Sequence, residues 1–89
     1  MPALALITPD QLRQILEADG FHLAHEDEFN WWMARGLKTI PINVPKEAGE
    51  DGCTSFAVME TTLSEAGIDH QKYFLLKEAV FGDKKKAVN

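Results

Sequence analysis

The segment Phe29-Asn30-Trp31-Trp32-Met33-Ala34-Arg35 sets two adjacent tryptophans in a run of strand character. Side chains on a strand point alternately to opposite faces. One indole must therefore enter the core while the other faces outward. This requires a sheet with one covered face and one open face. An outward indole on a small acidic protein marks a binding surface.

The flanking residues read as alternating helix and strand signals. Thr8-Pro9-Asp10-Gln11 opens a helix: Thr8 caps it, Pro9 suits the first position, and Gln11 completes a capping box. Leu12, Ile15 and Leu16 form one apolar stripe, and Gly20 supplies the stop, giving a helix over about 8–19. Phe21 to His25 alternates as a first strand, Glu26-Asp27-Glu28 is a polar turn, and Phe29 to Arg35 is the second strand. Lys38 to Val44 is the third, with Ile40, Ile42 and Val44 on one face. Pro41 has no N–H donor, which places this strand at an edge. Short turns favour an antiparallel meander. Residues 45–54 form a loop. A second helix over about 55–66 presents Phe56, Met59, Leu63 and Ala66, and Gly67 ends it. Asp69 caps a third helix over about 70–80, with Phe74, Leu75 and Ala79 or Val80 available for burial. The order α-β-β-β-α-α predicts a two-layer α+β domain over 1–81, with helices on one face of a three-stranded antiparallel sheet. Residues 82–89 are expected to form a flexible basic tail around Lys84-Lys85-Lys86.

Charge and cysteine content narrow the functional classes. Residues 1–82 carry six Lys and Arg against thirteen Asp and Glu, a net of −7. Such a body repels phosphate backbones at long range. The single cysteine, Cys53, permits no intrachain disulfide. No stretch approaches the ~18 apolar residues of a membrane span, and no signal-peptide pattern opens the chain. A cytoplasmic location without membrane partners is expected.

Chemistry-bearing clusters are sparse. His22 and His25 stand three apart, so on a regular strand they face opposite sides, and they share a ligand only if a bulge intervenes. No cysteine–histidine spacing of zinc type occurs, and neither a metal nor another cofactor is implied. Glu26-Asp27-Glu28 and Glu47, Glu50 and Asp51 lie in turns, where solvated carboxylates are ordinary, and calcium-loop spacing is absent. The candidate binding surface is Asn30, Trp31, Trp32, Arg35 and Lys38, with the edge strand 38–44. Aromatic residues and arginine are the usual anchors of protein interfaces.

Several motifs also carry a family likeness: Gly20-Phe21 after the first helix, Val44-Pro45 ending the meander, and Leu63-Ser64-Glu65-Ala66-Gly67-Ile68 closing the second helix. Over about residues 8–76 this layout resembles the HicA (YcfA-like) family of small toxins, whose fold is like the double-stranded-RNA-binding domain. The resemblance implies an mRNA-cleaving ribonuclease of a toxin–antitoxin pair, with a catalytic histidine early in the second strand. The matching position here is Asn30, and asparagine neither takes nor donates a proton near neutral pH. The expectation is therefore a non-catalytic HicA-like domain that binds a protein partner or its own copy rather than RNA. The alternatives are a ribonuclease in which His22 or His25 replaces the missing histidine, and an RNA binder without cleavage.

Overall fold

The capping box at Thr8 is formed in both directions: the Gln11 amide N–H donates to Thr8 Oγ1 at 3.1 Å, and the Thr8 N–H donates to Gln11 Oε1 at 3.0 Å. From this cap, helix α1 runs Pro9–Ala18. The computed structural model describes residues 5–36 and 40–82. Lys38 and the Lys84-Lys85-Lys86 run lie outside the described residues. After α1 come β1 (His22–Glu26), β2 (Asn30–Ala34), β3 (Ile42–Pro45), α2 (Phe56–Ala66) and α3 (His70–Lys77). A single π-helical turn, Glu78–Gly82, continues α3. This is the α+β order read from the sequence.

The sheet is an antiparallel meander in the order β1-β2-β3, so β2 is central. Met33 is fully buried and pairs with Leu23 on one side and Ile42 on the other. Helices α1, α2 and α3 cover the face carrying Met33, Ile42 and Val44. Leu12, Ile15 and Leu16 come from α1, Met59, Leu63 and Ala66 from α2, and Tyr73 from α3. The Tyr73 hydroxyl donates to the Ala5 carbonyl at 2.5 Å, tying α3 to the segment before α1. Burial raises this phenol's pKa to about 12.

Three apolar expectations are corrected. Ile40 is 74% exposed and precedes β3 rather than sharing its face. Ile42 pairs with Met33, so residue 40 would have to pair beyond Ala34, where β2 has ended. Pro41 likewise stands ahead of the strand, where its missing donor costs the ladder nothing. Phe56 is exposed, because it stands in the first turn of α2, ahead of the Met59–Thr62–Leu63–Ala66 stripe that packs inward. Phe74 and Leu75 are exposed as well. The inward stripe of the third helix runs through Tyr73, Leu76 and Val80, and a period of 3.6 residues turns 74 and 75 outward.

Arg35 has a structural role. Its guanidinium donates to Asp19 Oδ2 at 2.6 Å and to the Asp19 carbonyl at 3.1 Å, and lies 4.5 Å from the centre of the Phe21 ring. Lys72 reaches the other Asp19 oxygen at 2.9 Å. The end of α1, the end of β2 and the start of α3 thus converge on one carboxylate, whose side chain is only 8% exposed. Gly20 makes the turn that follows possible with φ +101°, a value that side-chain-bearing residues rarely adopt. Asp19→Ala is expected to lower stability by about 1–2 kcal/mol in urea unfolding, between the ranges for exposed and buried pairs, because both cations keep access to water. An unchanged unfolding midpoint would show that the three elements hold together without the clamp.

Candidate binding surface

The two indoles separate as the strand alternation requires. Trp31 pairs with Val44, lies on the helix side of β2, and packs half-buried against the core. Two cations reach over its ring, Arg13 at 5.1 Å and Lys46 at 5.4 Å from the centroid. Both cations are tethered: Arg13 bridges Asp10 and Glu17, and Lys46 pairs with Glu26 at 2.6 Å. The hydrogen bond from Lys46 holds the Glu26 carboxyl below its usual pKa. Trp31 is therefore taken up by intramolecular contacts.

Trp32 faces the other way, half-buried, and pairs with His25 on one side and Asn43 on the other. Its indole N–H donates to Asp27 Oδ2 at 3.3 Å. The other oxygen of Asp27 accepts from the Phe29 N–H at 2.9 Å and the Asn30 N–H at 2.8 Å. The Asp27 N–H in turn donates to the Asn30 carbonyl, closing the hairpin. These bonds, that from Phe29 foremost, hold the Asp27 carboxyl below the ordinary value of 3.8. The acidic turn that reads in sequence as solvated carboxylates thus contains one residue that builds the hairpin and orients Trp32.

Asn30 is also engaged. Its side-chain oxygen accepts from Asn43 Nδ2 at 2.6 Å, which fixes the pair across β2 and β3. Asn43 joins this surface although no motif in the sequence marks it. The signal was available, since Ile42 and Val44 face inward and the residue between them must face out. Arg35, expected on the same surface, spends its charge on Asp19 instead. The surface that the structure brings together is therefore Asn30, Trp32 and Asn43 with the β1 histidines.

Those histidines depart from the regular-strand expectation. His22 pairs with Ala34, Leu23 with Met33 and His25 with Trp32, so Ala24 is an extra residue with no partner in the ladder. This is a β-bulge. Ala34 and Trp32 share a face of β2, and the bulge consequently brings His22 and His25 to that same face. All five β1 residues are exposed. His70 is remote from them and pairs with Glu60 at 3.1 Å in a cleft of about 850 Å³ between α2 and α3. Among the described residues no helix is long and apolar enough to cross a membrane. The chain matches no protein-family model, no curated protein and no solved structure.

The lowered pKa of Asp27 makes part of the fold's stability depend on pH. Its folded pKa lies below the unfolded value, so its contribution to stability is full above the unfolded value and is lost as pH falls through the folded one. Asp10 and Glu26 shift in the same direction. Unfolding midpoints are expected to fall below about pH 4, and Asp27→Asn should flatten part of that fall. An identical pH profile in the variant would remove Asp27 from this role.

Proposed function

We propose that this chain is a non-catalytic, HicA-like interaction domain that binds a protein through the open face of its sheet. The observation that carries this reading is the outward face of β2 and β3. It presents Trp32 between Asn30 and Asn43, and Asp27 anchors the indole by a hydrogen bond. An aromatic side chain fixed in orientation loses little entropy on binding and makes a good anchor. The edges are less suited. The bulge interrupts the ladder of β1, and β3 is four residues long with α2 packed alongside. The net charge of −7 over residues 1–82 favours a partner with a basic rim around an apolar centre over a second copy of this acidic body.

A second reading, metal-independent cleavage of RNA, has one observation in its favour: the bulge sets His22 and His25 on one face, where one imidazole could act as base and the other as acid. The charge of the body opposes it. Purified protein is expected to leave structured RNA intact at low salt. Cleavage that disappears in His25→Ala would replace the binding reading with this one.

Trp32→Ala is the direct test of the binding reading. The variant should stay folded by circular dichroism and lose about 2 kcal/mol or more of affinity for a partner that the parent retains. An unaltered oligomeric state and partner set, compared in parallel with the parent, would sink the proposal.

A further inference from the structure

The bulge in β1 has a chemical consequence for its two histidines. His22 and His25 stand opposite Ala34 and Trp32, which are two residues apart on β2. The extra residue Ala24 thus compresses a three-residue separation into the equivalent of a two-residue one, roughly 6.6 Å along the strand. Both imidazoles leave the same face. Both are exposed, and neither has a hydrogen-bond or ion-pair partner among the described residues. His70, by contrast, is held by Glu60.

We infer that His22 and His25 form a two-imidazole site for a borderline divalent transition metal of the zinc, nickel or copper class. Neutral imidazole is a favoured ligand for all three ions. Two nitrogens on one tetrahedral ion with bonds of about 2.05 Å lie roughly 3.3 Å apart. Rings rooted two strand positions apart on one face can converge to that separation, whereas rings on opposite faces cannot. The described residues gather no group of three or more such ligands, so the remaining positions go to water. The site is open, at an exposed edge, and needs no desolvation of a charged group to form. It depends on the bulge and not on the proposed function, because it requires neither a protein partner nor Trp32.

The test is calorimetric titration of tag-free protein with zinc and with nickel, alongside His22→Gln, His25→Gln and His70→Gln. The parent is expected to bind one ion per chain. Each β1 variant should lose about tenfold or more in affinity, because a second ligand held nearby acts at a high effective concentration. His70→Gln should bind as the parent does. All three variants remain testable: His22 and His25 are exposed, and His70, though half-buried beside Glu60, lies outside the apolar core. Absence of binding overturns the inference. Equal binding in the parent and both β1 variants, or loss in His70→Gln, also overturns it, since each places the ion elsewhere.

Discussion

Everything in this small domain hangs on the alternation of β2. Met33 is its inward residue, fully buried, and is paired on both sides. A one-residue slip would carry Met33 to the open face and bring Trp32 inward. The helices cannot tolerate that, because Leu12, Ile15, Leu16, Met59 and Leu63 are packed against the face that Met33, Ile42 and Val44 define. A domain of this length has a stability on the order of 5 kcal/mol, so the loss of even a few of these apolar contacts would be a large fraction of the total. The Asp19 clamp at one end of β2 and the Asp27 turn at the other confine the strand further. Carboxylates at the two ends of one central strand thus add polar ties to the apolar core.

Local chemistry made the fold legible. The Thr8 box, the Gly20 stop and the Gly67 stop bracket helices whose ends the structure reproduces to within about a residue, and three strands follow in the expected order, although β3 begins only at Ile42 and β1 is exposed along its whole length. Two kinds of information were less accessible. One was the phase of a short helix: Tyr73, Leu76 and Val80 form as good a stripe as Phe74 and Leu75 suggest, and only packing against α1 and Ala5 decides between them. The other was pairing. Nothing in Phe21 to His25 announces that Ala24 is unpaired, because a bulge is defined by its partner strand and not by its own residues. The side on which His22 and His25 stand is therefore a property of two strands read together.

The same distinction governs the candidate surface. Which tryptophan faces outward follows from period two once Met33 is placed inward. That Arg35 is consumed by Asp19, sixteen residues earlier, does not follow from any local pattern. Long-range ion pairs withdraw side chains that look available in sequence, and Trp31 is withdrawn in the same way beneath Arg13 and Lys46. The surface that remains is smaller and more polar than the run of aromatic and basic residues suggests: one oriented indole, two amides bonded to each other, and two imidazoles.

These features shape what such a surface can recognise. Strand addition needs a regular edge with free N–H and C=O groups. The bulge in β1 disrupts that regularity at Ala24, and on the far side β3 is only four residues long and has α2 packed against it. Under the proposed binding function, a partner would meet the side chains of the open face rather than the backbone of an edge. Recognition by side chains is selective where recognition by backbone is promiscuous, since any extended chain can satisfy a free edge. In an acidic protein of modest stability, the bulge therefore does two things at once. It breaks the regularity of an edge that would otherwise favour edge-to-edge association, and it sets the histidines beside Trp32 on the outward face of the sheet.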